Sequence, residues 1–367
     1  PVLDRVTNEY RPIGDRSADE ARNAVRGVLA SVLSGSDTLR AEGIKLASTY
    51  GITEVGPELR RLVQAEENPG PVRAEALAAL GALGDDQLSQ IVGSSLEDRH
   101  AAVRIEARRL LAKENPQAGV TALEQALAEG TTEERQAAID TLATLEQEAA
   151  HIVLLDWMDR LLVGEVPAAI QLDLLEAARQ QTGEAFEDRL ASFAASRDTS
   201  TPVRAYSECL EGGDAARGKA IFFGNAAASC RRCHKVQGAG GDVGPNLSAI
   251  GREKDATYLL ESIVDPSAKI AKGFETAVFL LDDGRVVTGI VRGEDEENYR
   301  LVSGTGEVLL VPKDEVDERA VGKSGMPADL VKQLSRRDIR DLVAYLLTLK
   351  TPDTTSGAHG EAGAHGE

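Results

Sequence analysis

Four segments in the first half of the chain align without gaps: LRAEGIKLASTY (39–50), VRAEALAALGAL (72–83), VRIEARRLLAKE (103–114) and ERQAAIDTLATL (134–145). Their starts lie 33, 31 and 31 residues apart, and a looser copy begins near Ile170. Apolar or small residues recur at the same offsets, as in Val72, Ala76, Leu80 and Leu83, or Val103, Ala107 and Leu111. That spacing is one face of a helix. A second amphipathic stretch precedes the copies, as in PELRRLVQA and VTALEQALAE, and Pro57, Pro69, Pro71 and Pro116 punctuate the joins. A helix pair that repeats roughly every 30 residues cannot bury its apolar face alone, so it stacks on its neighbours as an α-solenoid.

These segments resemble HEAT-type repeats, although they are short for that family. The resemblance covers about residues 17–195 and carries no chemistry. Aromatic residues make up only 4% of the chain against 42% hydrophobic, so the cores are built from Leu, Val, Ile and Ala. The net charge is −19, which excludes nucleic acid and anionic lipid as partners. Between 213 and 350 the charges nearly balance, with 20 Lys and Arg against 21 Asp and Glu, so the acidity lies mostly before residue 213. No apolar run is long enough to span a bilayer. The chain opens PVLDRVTNEYRP without a signal peptide, which places any export signal upstream.

The character changes near residue 197. An extension (1–16) and the solenoid (17–195) are followed by a linker (196–212), a second folded segment (213–350) and a disordered tail (351–367). Helices are expected at 213–224, 258–265 and 336–350. Between 274 and 316 the period becomes strand-like, and four short strands with hairpin turns are expected.

Cys230, Arg231, Arg232, Cys233 and His234 form a C-x-x-C-H motif. Two thiols three positions apart can each add to one vinyl group of a single porphyrin, and the next residue then lies beneath the ring to bind iron. A thioredoxin-like thiol pair, a zinc site completed by Cys209, and chance are the competing readings. The thioredoxin pair would follow a strand, whereas this motif follows a helical stretch and a small-residue loop.

The stretch 213–252 resembles the opening of a class I cytochrome c domain: a helix carrying Gly218 and Phe222, the cysteine motif, a glycine-rich loop, then Gly244-Pro245-Asn246-Leu247. The resemblance implies one covalent haem c. It assigns Pro245 to fix the His234 ring through its carbonyl, Met326 in KSGMPADL to the sixth iron position, and Tyr345 to pack against Gly218 and Phe222. Arg252 is a candidate for a haem propionate, while Arg231, Arg232 and Lys235 are either docking or solvated charges. His234 and Met326 are 92 residues apart, long for the family; removing the 43 residues of 274–316 leaves 49, an ordinary separation. The expected fold is therefore mainly α, an N-terminal α-solenoid followed by an all-α cytochrome c fold with an inserted antiparallel β-module.

Repeats, cytochrome and β-insert together resemble the haem-binding domain of planctomycete-type membrane-associated dehydrogenases. That implies electron transfer from a dehydrogenase, as an upstream domain or subunit, to a respiratory acceptor, with redox proteins as partners and a periplasmic or other extracytoplasmic location. Catalysis by this chain alone is not expected. A haem enzyme or gas sensor with a displaceable Met326, and a scaffold with a structural haem or metal, are the alternatives. Met158, beside Trp157, reads as core packing, and Cys209 as a buried or inert thiol. His359 and His365 belong to a solvated tail, and His100 and His151 need no special role.

Overall fold

The structure is a computed structural model that describes residues 2–4, 9–11 and 18–352 except 305. The expected tail, with His359 and His365, and much of the 1–16 extension lie outside the described residues. The chain is mainly helical with small antiparallel sheets. It divides into two compact units, Pro1–Asp156 and Trp157–Glu367. No helix among the described residues is long and apolar enough to cross a membrane.

In the N-terminal unit, β1 (Val2–Asp4) pairs with β2 (Glu9–Arg11). Eight helices follow: α1 (Ala18–Leu33), α2 (Asp37–Tyr50), α3 (Gly56–Gln64), α4 (Gly70–Leu83), α5 (Leu88–Ser95), α6 (Ala101–Glu114), α7 (Pro116–Glu129) and α8 (Thr132–Ala143). The division falls within α9 (Glu148–Leu162). The four aligned segments are α2, α4, α6 and α8, and each packs on the next of its kind. Ile44, Ala47, Val72, Ala76, Leu80, Val103, Ala107 and Leu110 lie in one buried cluster, while Leu83 and Leu111 sit at its margin. Burying each large aliphatic side chain contributes about 1.5–3 kcal/mol, so the stack is held by its repeated offsets.

Ion pairs also tie neighbouring repeats. Arg60 meets Asp85 at 2.7 Å, Arg73 meets Asp98 at 2.5 Å, and both Arg104 and Arg108 reach Glu134 at 2.7 Å. Glu134 is buried, and the Arg104 guanidinium holds its carboxyl well below the usual carboxylate range. Its second oxygen also closes a capping box with Thr131 at the start of α8.

The C-terminal unit begins with a further helix pair, α10 (Ala168–Gln180) and α11 (Glu184–Ser196). After it come α12 (Pro202–Ala205), α13 (Ala215–Gly224), α14 (Cys230–Cys233), α15 (Ile250–Glu253), α16 (Ala256–Val264) and α17 (Arg336–Thr348). Helix α17 packs on α13, α15 and α16. At the α13–α17 crossing, a Cβ on Gly218 would lie 1.9 Å from the Asp341 carbonyl, so only glycine allows the approach. Phe222 and Tyr345 pack across it, tilted to one another, with ring centres 5.8 Å apart.

Two sequence divisions are drawn differently by the packing. Helix α10 continues the repeat pattern, yet it folds with the C-terminal unit. Its Leu172 belongs to the same buried cluster as Phe222 and Leu342. Its Asp173 accepts from Arg340 at 2.6 Å, with both side chains 1% exposed. The segment read as a linker, 196–212, is a folded connection: Glu208 is buried between Arg197 at 2.6 Å and Arg336 at 2.5 Å.

The four strands expected within 274–316 are present, and a fifth beyond them joins the same sheet: β5 (Thr276–Leu281), β6 (Val286–Glu294), β7 (Asn298–Val302), β8 (Val308–Pro312) and β9 (Val316–Val321), in the order β8-β7-β6-β5-β9. They follow a two-residue hairpin of β3 (Lys235–Val236) and β4 (Ala239–Gly240). Strand β9, VDERAV, eluded the sequence reading because it is an edge strand whose Asp317, Glu318 and Arg319 stay in solvent.

The buried pair generates a test. Removing one partner leaves an uncompensated buried charge, so Asp173→Ala lowers the stability of the C-terminal unit by about 3–5 kcal/mol. The double variant Asp173→Leu with Arg340→Met recovers most of that loss. Urea unfolding of parent and variants measures both.

Candidate functional site

Helix α13 ends at Gly224, and Asn225 accepts the amides of Ala227 at 3.0 Å and Ala228 at 2.9 Å, turning the chain toward Ser229. Ser229 takes a left-handed conformation, φ 46°, which reverses the backbone into the single turn of α14. Cys230 and Cys233 are the first and last residues of that turn, and one cavity touches both.

His234 leaves the turn in an extended conformation, and its Nδ1 donates to the Pro245 carbonyl at 2.9 Å. That bond puts the ring proton on Nδ1 and leaves Nε2 with its lone pair. Burial pushes the imidazole below its ordinary pKa, which also favours the neutral, ligating form. The loop after the motif is stitched to it by backbone bonds: Gly241 to Arg231 at 2.9 Å, Gly244 to Cys233 at 2.7 Å, and Leu247 to Lys235 at 2.8 Å. Gly244 lies against the ring, where a Cβ would be 2.7 Å from Cε1. A larger residue there would displace either the ring or the loop that orients it.

The cavity has a volume of about 410 Å³. Cys230, Cys233, His234, Pro245 and Met326 all line it. Phe222, Leu259, Ile263, Leu342 and Leu346 give it apolar walls from α13, α16 and α17. Burial raises the Cys230 thiol above its ordinary pKa, so it rests protonated. Two thiols, one oriented imidazole and one thioether on a single apolar cavity form the donor set that a covalently attached haem uses, and the residues fit that group.

Arg252 falls outside this lining: it is exposed on α15, while Lys254, two residues on, borders the cavity. Lys269, Lys272 and Tyr258 also line it, as do Phe274 and Ile290 near and within the sheet. No spacing marked these residues in advance, because they come from elements remote in sequence. Arg231 and Arg232 are exposed, and Lys235 pairs with Asp242 at 2.6 Å. Met158 is fully buried core. Among the described residues no group of three or more His, Cys, Asp and Glu could hold a metal ion. The Cys209 thiol donates to the Arg336 carbonyl at 3.4 Å.

No protein-family model matches the chain, and no curated protein matches it. Among solved structures, human deoxyhypusine hydroxylase in complex with glycerol is 21% identical, with a TM-score of 0.24 over 55% of this chain and 77% of that one. That likeness is too slight to carry a fold or a function.

Burial pushes the Cys209 thiol up to about 12 from an ordinary 9.0. The native chain therefore keeps this proton after the unfolded chain has lost it. Stability associated with the thiol is complete below about pH 9 and falls as pH rises toward 12. A Cys209→Ala variant is expected to lose less stability than the parent over that window, measured as urea midpoints at successive pH values.

Proposed function

We propose that this chain is an electron-transfer module: a HEAT-like α-solenoid joined to a class I cytochrome c domain with an inserted β-sheet, serving a dehydrogenase from a periplasmic or comparable compartment. The observation that carries the proposal is the His234 Nδ1 bond to Pro245 at 2.9 Å, on a cavity that also meets Cys230, Cys233 and Met326. The two thiols would hold one haem c by thioether bonds, with His234 Nε2 and the Met326 sulfur as iron ligands. Bound there, the group supplies one-electron exchange between Fe(III) and Fe(II), and thioether ligation favours the reduced state.

The remaining roles belong to the protein. Pro245 fixes the imidazole tautomer and its angle. Gly244 permits the loop to lie on the ring. Phe222, Leu342 and Leu346 exclude water, which lowers the local dielectric and adds to the preference for the less charged iron. Met326 would offer its thioether sulfur as the second protein ligand, a role that suits electron exchange. Redox proteins are the partners this reading calls for, with the dehydrogenase as donor and a respiratory carrier as acceptor.

The deciding experiment is expression with a c-type maturation system, followed by oxidised and reduced spectra and haem staining of a denaturing gel. Sharp reduced bands, stain that survives denaturation and a far-red thioether–iron band are expected. Absence of covalent haem overturns the proposal. In Met326→Ala the far-red band should vanish and the potential fall by on the order of 0.1 V or more. A variant that instead retains the potential and gains ligand binding would establish the enzyme or sensor reading.

A further inference from the structure

Two loops carry the residues that the proposed function relies on. Loop 241–245 ends in the carbonyl that orients His234, and loop 322–326 ends in Met326. The five-stranded sheet has a core of its own, with Phe279, Leu281, Leu301 and Val311 buried together. Such a module could hang from its peptide connections alone. It instead grips both loops.

The first grip comes from a bulge. The register of β6 against β7 shifts between Val291 and Gly293, which leaves Arg292 without a partner in the ladder. A bulge turns its extra residue out of the ordinary alternation and aims the side chain elsewhere. Arg292 donates to the Asp242 carbonyl at 2.7 Å and the Val243 carbonyl at 3.0 Å, with a longer bond to Gly273 at 3.4 Å. The guanidinium lies over the Phe274 ring at 4.2 Å, which restricts its rotamer. Gly306, between β7 and β8, lies near the same loop, where an added Cβ would be 3.5 Å from a Val243 methyl.

The second grip comes from strands β5 and β9. Strand β9 pairs with β5 and runs directly into loop 322–326, with Val321 opposite Ala277. Thr276 Oγ1 donates to the Lys323 carbonyl, and the Gly322 amide donates to the Thr276 carbonyl at 2.8 Å. Ile290 of β6 lies 3.6 Å from where a Gly325 Cβ would be, next to Met326. Strands β6, β5 and β9 are consecutive neighbours, so both attachments sit on one hydrogen-bonded slab.

We propose that the sheet is a clasp that ties loop 241–245 to loop 322–326, with Arg292 and Thr276 as positioning residues for His234 and Met326. The tie itself depends only on these contacts; its effect on iron rests on the function proposed above. A spacer would leave each loop to set its own position. A clasp makes loosening of one loop appear in the other.

The test is hydrogen–deuterium exchange on the matured protein, comparing the parent with Arg292→Ala, Arg292→Lys and Thr276→Val. In Arg292→Ala, amides of 241–247 should exchange about tenfold faster, and those of 322–326 should also accelerate. Arg292→Lys should restore most of the protection, because an ammonium still donates to the two carbonyls. Thr276→Val should loosen 322–326 first and 241–247 with it. Free imidazole should displace the far-red band of Arg292→Ala at about tenfold lower concentration than in the parent. Unchanged exchange in both loops overturns the proposal, and so does acceleration confined to the loop that was altered. A parent lacking the far-red band would sink the iron reading, while the exchange comparison would still decide the clasp.

Discussion

Helix α17 is the element on which the C-terminal unit depends, and one interaction fixes where it lies. Arg340 and Asp173 meet at 2.6 Å with both side chains 1% exposed. Two charges out of water tolerate little displacement, because their mutual attraction offsets desolvation only at close range and good geometry. Arg337 adds a contact to the same carboxylate at 3.3 Å and a second to Glu176. With that edge held on α10, the apolar edge carrying Leu342, Val343 and Leu346 is left to cover α13, α16 and the cavity. The same helix thus couples a repeat-like helix pair to the cavity.

The site applies a related economy to its polar groups. Every backbone bond of loop 241–247 onto the cysteine motif also narrows the positions open to the His234 ring. A neutral imidazole bonded to a carbonyl, backed by a glycine and enclosed by apolar side chains, is poised to offer Nε2 and little else. The sheet meets this arrangement through Arg292 and Thr276, so a module inserted far along the chain participates in a geometry begun by a pentapeptide.

The N-terminal unit solves a different problem. Most of the negative charge of a chain of net −19 lies before residue 213. Self-repulsion is offset where it matters by arginines placed one repeat away from their carboxylates, as in Arg73 with Asp98 and Arg104 with Glu134. These pairs are half or fully withdrawn from solvent, where they set the register of neighbouring helices more firmly than surface pairs would.

Local information was enough for much of this. Apolar offsets marked α2, α4, α6 and α8, because burial of one helix face must repeat with the helix period. The C-x-x-C-H spacing, the Gly-Pro pair and a methionine before a final helix named the residues that meet at the cavity, since each is a short-range requirement. What remained illegible was long-range. Strand β9 is polar because edges face water, and its partnership with β5 is invisible from its own residues. The attachment of α10 to α17 depends on charges 167 residues apart. Arg252 looked suitable by proximity in sequence, yet Lys254, Lys269 and Lys272 border the cavity because helix phase and chain path, not distance along the chain, decide which side chains face it. The sequence by itself determined the repeating helices and the identity of the side chains that meet at the cavity; only the tertiary structure decided which distant elements hold them, because packing couples residues that no local pattern connects.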